Sequence, residues 1–140
     1  MRASEYICHL HVPSVTTYRY LRASAGMTQR SVEAATVGLA ASLFAVEVRA
    51  DDAPVGMGRV IGDGGCFFQV SDIAVIPAHR RRGVGRMIMD RITTYLRKHA
   101  PADAYISLIA DGDSHHLYRR YGFVDTAPHS IGMKWPHAAR

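Results

Sequence analysis

A mixed α/β (α+β) fold is predicted by three features of the sequence. Three strand-like runs joined by short, turn-rich links occupy residues 42–76, a helical stripe follows over 84–99, and a run apolar on both faces, 104–110, comes after that helix. A meander that feeds a crossover helix and one further strand gives a mostly antiparallel sheet with one parallel pair, and an apolar strand in that place implies burial on both faces.

The 140 residues suit one domain spanning 1–140, long enough to bury a core without disulfides or metals. Hydrophobic residues make up 48% and charged residues 21%, a globular balance, and no apolar run approaches the roughly 20 residues that cross a bilayer. No membrane association is therefore expected. The opening "MRASEYICHLHVP" has no signal-peptide pattern, and Cys8 and Cys66 form no motif, so a cytoplasmic setting is expected. Seventeen Lys and Arg against twelve Asp and Glu give a charge of +5, which favours anionic ligands without choosing among them.

Taken in order, "YICHLH" (6–11) reads as a first strand, broken by Pro13 before a short helix that Gly26 ends. Ser31 is placed to cap a second helix, whose Val32, Ala35, Thr36 and Leu39 share one face. Residues 42–50, 55–61 and 66–76 are the meander, with "DDAP" and "GDGG" as its turns. Val84, Met87, Ile88, Ile92, Tyr95 and Leu96 set the apolar stripe of the third helix. After 104–110, "SHHLYRRYGF" forms a short helix ended by Gly122, and 123–135 supplies one or two final strands, for six to seven in all. Cys66 is expected to be a small buried filler.

The segment "PAHRRRGVGRM" (77–87) sets a glycine-containing loop between a strand and a helix N-terminus. The first amides of a helix have no intrahelical acceptor and its dipole favours negative charge there, so such a junction holds anions. Gly83 and Gly85 would let an anion approach the backbone closely.

The same segment resembles the signature of the GNAT N-acetyltransferase superfamily, Gln/Arg-x-x-Gly-x-Gly/Ala at a helix start, with Arg80, Gly83 and Gly85 at the defining positions. Further along, "LYRRYGF" is similar to that family's Tyr-x-Lys-x-Gly-Phe, with Tyr118, Gly122 and Phe123 matching and Arg120 in place of lysine. The resemblance implies a twisted sheet with helices on both faces, splayed between the fourth and fifth strands, and acetyl-CoA as acetyl donor. It implies that the amides of Arg81, Arg82, Gly83, Val84, Gly85 and Arg86 grip the pyrophosphate, with an arginine side chain from 80–82 meeting the 3′-phosphate. Ile73, Ala74 and Val75 would pair with the pantetheine arm, and an N–H near Val75 would face the oxyanion.

The implied chemistry has two proton transfers. An alkyl amine with a pKa of about 10.4 is neutral in roughly one molecule per thousand at pH 7, so it must lose a proton before attack. The departing thiolate needs one, and Tyr118 matches the family's general acid. With an ordinary pKa of about 10 against roughly 8.5 for a thiol, outright proton transfer from tyrosine is uphill, and either a lowered pKa, assisted by Arg119 or Arg120, or a hydrogen bond alone would ease it. The family's basic side chains are replaced here by Gln69 and Ser71, expected to face the acceptor. Asp72 is the adjacent carboxylate, though strand alternation turns it to the opposite face unless a bulge intervenes. Glu33 and Glu47 could act through water. His9, His11, His115 and His116 lack a completing ligand cluster, and no metal is expected.

The residues and the resemblance together imply an N-acetyltransferase acting on a primary amine, more readily a small molecule than a protein, by direct attack within a ternary complex. Arg19, Arg22 and Arg30 beside the acceptor-side helices hint that an acidic group is welcome. The alternatives are a protein N-acetyltransferase and a non-catalytic acyl-CoA-binding module. Nucleic-acid binding through Arg80–Arg82 and Arg86 is set aside, and a homodimer is admitted.

Overall fold

The computed structural model describes residues 5–137. Residues up to Leu108 make one compact unit and those from Ile109 a second. In the first, β1 (Tyr6–His9), β2 (Phe44–Ala50), β3 (Ala53–Gly62), β4 (Phe67–Val75) and β5 (Tyr105–Ser107) form one sheet in chain order. The β2–β3 turn is a two-residue loop in which Asp51 and Asp52 both have positive φ, 49° and 66°, the twist that suits a hairpin. The next link is organised by Asp63, whose Oδ1 accepts from the amides of Gly65, Cys66 and Phe67 at 2.8, 2.8 and 3.0 Å. Cys66 in that link is exposed rather than buried, because the strand starts only at Phe67.

Helices cover both faces. Ser14 and Ser31 cap α1 (Val15–Ser24) and α2 (Val32–Ala40), their hydroxyls accepting from Thr17 and Ala34 amides at 3.1 and 3.0 Å. The buried Tyr18, Leu21, Ala35 and Leu39 of these helices pack with Met57 and Ala74 of the sheet. On the other face lies α3 (Val84–His99), its Val84, Ile88 and Ile92 fully buried. Gly56 and Gly58 make that contact possible: a Cβ on Gly58 would stand 2.6 Å from Ile73 Cδ1 and Ile88 Cγ2.

Two features of β4 bear on ligand binding. Its register with β3 slips between Met57 and Arg59, so that Ala74 faces Met57 and Ser71 faces Arg59. Its parallel ladder with β5 stops at Gln69↔Ser107, whereas β4 runs on to Val75. The splay expected between the fourth and fifth strands is thus a ladder that ends early.

The second unit holds α4 (His115–Arg120), closed at Gly122 with φ 93°. Its described residues include no strand, so the sheet has five strands rather than six to seven. Pro128 has no N–H to give a ladder, and Val124, Ile131, Met133 and Trp135 lie exposed, so pairing there brings no burial. The fifth strand departs from expectation as well. It is parallel to β4 but ends the sheet among the described residues, with Tyr105 half exposed, so it is not buried on both faces.

Candidate functional site

The loop after β4 passes through one turn of 3-10 helix, Pro77–His79, and two left-handed residues, Arg81 at φ 60° and Gly83 at φ 85°. Gly83 is the N-cap of α3, and the helix's own bonding begins where the Met87 amide donates to the Gly83 carbonyl at 3.0 Å. The amides of Val84 and Gly85 therefore look out of the helix end. No acidic side chain occupies the first turn, and among the described residues no atom beyond Gly83 and its two chain neighbours comes within 4 Å of where a Gly83 Cβ would stand. An open, dipole-positive end results, suited to an anion.

The arginine run divides. Arg80 folds back, its Nε donating to the Val75 carbonyl at 3.0 Å and Nη2 to the Ala25 carbonyl at 3.2 Å, tying the loop to the end of β4 and the end of α1. Arg81 and Arg82 are exposed.

Peptide groups alternate along a strand. The Ile76 amide donates to the Val55 carbonyl on β3 at 3.0 Å, so the Val75 and Ile73 N–H groups point the other way, to the edge that β5 has left. That edge runs directly into the loop.

On the α1/α2 face of the sheet lies a buried ionic cluster. Asp72 takes φ 57°, the bulge residue of β4, and the bulge turns its side chain to the same face as Ser71 and Ala74. Its Oδ1 accepts from Arg22 Nη1, and its Oδ2 from Arg59 Nε at 2.8 Å and Tyr18 Oη at 3.2 Å. Arg22, Arg59 and Asp72 are only 4%, 8% and 9% exposed. Both guanidinium groups flank the Tyr18 ring, 5.9 and 5.5 Å from its centroid. Burial, then the Asp72 charge, raise the Tyr18 pKa, while the two arginines oppose the rise.

Gln69 and Ser71 are half-buried and stand opposite Ile61 and Arg59, so Ser71 shares the Arg59 face. Glu33 is exposed in the first turn of α2. Glu47, 2% exposed, pairs with Arg49 Nε at 2.6 Å and His11 Nε2 at 3.1 Å, and His11 stacks on His9. Arg59 is the residue that sequence reasoning passes over. Its signal is an arginine inside the apolar strand "VGMGRVI", a place where a charge persists only with partners.

In the second unit Tyr118 is buried on α4, edge-on to Phe123 at 6.3 Å. Burial raises its pKa above the ordinary tyrosine value and the Asp111 charge adds to this, against a hydrogen bond with Ser114. Of the two ways to ease the transfer, the lowered pKa is not found, and Arg119 instead grips Asp125 at 3.0 and 3.1 Å.

A sheet opened beside a parallel pair, with its free edge leading into a glycine-capped helix N-terminus, defines an α/β protein whose exposed backbone amides at that junction suit an anion. Residues 40–125 match the family described as the acetyltransferase (GNAT) domain, and the chain belongs to that family, whose members use acetyl-CoA. A Staphylococcus aureus protein of unknown function, described as a probable acetyltransferase, is 39% identical, covers 95% of this chain and 100% of its own, and superposes with a TM-score of 0.90. An aminoglycoside N-acetyltransferase solved with CoA shares the fold at 15% identity and a TM-score of 0.68, over 97% of each chain. A mycothiol acetyltransferase of Corynebacterium efficiens is 49% identical over 37 residues, 26% of this chain and 12% of that protein's length. No helix among the described residues is long and apolar enough to cross a membrane.

Proposed function

We propose that this chain, acting as one domain, transfers the acetyl group of acetyl-CoA to a primary amine, more readily a small molecule than a protein, by direct attack in a ternary complex. The observation that carries the reading is the free edge of β4, which leads through the following loop to the left-handed Gly83 at the start of α3. The amides from Arg81 to Arg86 would hold the pyrophosphate, and Ile73, Ala74 and Val75 would pair with the pantetheine arm as a neighbouring strand does. The space beyond Gly83 and the absence of an acid in the first turn of α3 suit that anion.

The amine nitrogen attacks the thioester carbon, and the Val75 N–H supports the charge that develops on oxygen. The C–S bond then breaks, releasing amide and thiolate. Tyr118, its proton held more tightly than in a free tyrosine, is assigned to the sulfur as a hydrogen-bond donor, with solvent completing the protonation. Asp72 has both oxygens engaged by Arg22, Arg59 and Tyr18, which favours holding the acceptor face over taking the amine proton. Glu33 is exposed and free to pass that proton to water, and Gln69 and Ser71 are assigned to the acceptor.

The test is thiol release from acetyl-CoA with a panel of amines, for wild type and Tyr118→Phe. Amine-dependent release that falls at least about tenfold in the variant supports the reading. CoA binding without turnover on any amine would leave a non-catalytic acyl-CoA-binding module.

A further inference from the structure

The buried cluster on the α1/α2 face is not electrically balanced. Two guanidinium groups, Arg22 and Arg59, meet one carboxylate, Asp72, and Tyr18 is held neutral beside them. Arg22 is engaged through all three of its nitrogens: its Nε donates to the Thr28 carbonyl at 2.8 Å, Nη1 to Asp72 and Nη2 to Thr28 Oγ1 at 3.3 Å. Arg59 is not. Its Nε goes to Asp72, and its Nη1 to the Gly38 carbonyl and Ser42 Oγ at 3.1 and 2.8 Å, but its Nη2 has no partner among the described residues. No fully buried side-chain nitrogen or oxygen among those residues lacks a partner, so Nη2 of this 8% exposed residue is open in part to solvent.

Gly38 lies in the last turn of α2, and the negative end of that helix offsets part of the excess charge. A helix end supplies roughly half an elementary charge, which leaves the cluster positive. A partly desolvated guanidinium with an open donor is a site for an anion, because charge-assisted hydrogen bonds gain strength where water is scarce. Ser71 stands directly across the strand pair from Arg59 and adds a hydroxyl on the same face.

The geometry points to an acceptor amine that also carries a carboxylate, an amino-acid-like substrate whose carboxylate is received by Arg59 Nη2 and Ser71 Oγ. One uncompensated charge matches a monoanion rather than a phosphate dianion. This rests on the acetyltransferase reading for the word acceptor, but not for the binding itself.

The experiment compares amino acids with their decarboxylated amines in matched pairs, by kcat/KM with acetyl-CoA and by equilibrium binding to the protein–CoA complex. Wild type is expected to favour the carboxylate-bearing member by about tenfold or more in either readout. Ser71→Asp, which sets a resident carboxylate opposite Arg59, is expected to erase that preference while keeping the fold, and Arg59→Gln to erase it where that variant folds. Turnover of both members with no preference overturns the inference and leaves the acetyltransferase reading intact. If no amine turns over, that reading fails, yet selective binding of the carboxylate-bearing member still upholds the inference and equal or absent binding overturns it. A phosphomonoester amine that outcompetes the amino acids also overturns it.

Discussion

Arg59 Nε meets Asp72 Oδ2 at 2.8 Å across the β3–β4 pair, a contact that exists only because β4 bulges at Asp72. Without that extra residue, alternation would send the carboxylate to the α3 face and leave two guanidinium groups buried without a counter-charge.

Asp72→Asn removes the charge and keeps the shape. Breaking a buried pair by deleting one partner costs about 3 kcal/mol or more, since the remaining ion keeps its desolvation cost. Urea unfolding of the variant is expected to show a loss of that order, and a loss below about 1 kcal/mol, the range of an exposed pair, would contradict the assignment.

Gly58→Ala tests how closely α3 lies on the sheet. The new methyl would meet Ile73 Cδ1 and Ile88 Cγ2 at 2.6 Å and Ile92 Cδ1 at 2.9 Å. Overpacking of this kind costs roughly 1–3 kcal/mol. Thermal unfolding is the measurement, and an unchanged Tm would mean that α3 stands further off.

Tyr18 predicts an alkaline limb. Burial and then the Asp72 charge raise its folded pKa, so the folded state holds the phenolic proton more tightly than the unfolded chain. Its contribution is fully present below the unfolded tyrosine value of about 10 and is lost as pH rises through the folded value above it. In denaturation midpoints measured across that range, Tyr18→Phe should shallow the decline while Tyr118, also raised, keeps part of it. Equal slopes in variant and wild type would contradict the shift.

Much of the fold is legible in the sequence. The bounds of α3, 84–99, can be read because its stripe carries a strong 3.6-residue period and a glycine stands at its start, and the Ser31 cap follows from a hydroxyl ahead of an apolar face. The Asp72 bulge is not legible, since alternation predicts a face only while the register holds. Nor is the balance of the ionic cluster, because Arg22, Arg59 and Asp72 come from three separated segments and their pairing is a product of the fold. The final strands fail for a related reason. An alternating pattern such as Ile131, Met133 and Trp135 promises a strand only if some surface covers it.

In the proposed function, backbone conformation at the β4–α3 junction holds the donor and arginine charge is secondary. Calorimetric titration of CoA into Gly83→Val and Arg81→Ala separates the two contributions. Gly83 sits at φ 85°, and among the described residues no atom beyond its chain neighbours lies within 4 Å of its Cβ position, so valine strains the loop without disturbing the core. Gly83→Val is expected to lose at least about tenfold in affinity, while Arg81→Ala, an exposed charge, loses less than about fivefold. The reverse order would contradict this assignment and return the loop to a simple basic patch.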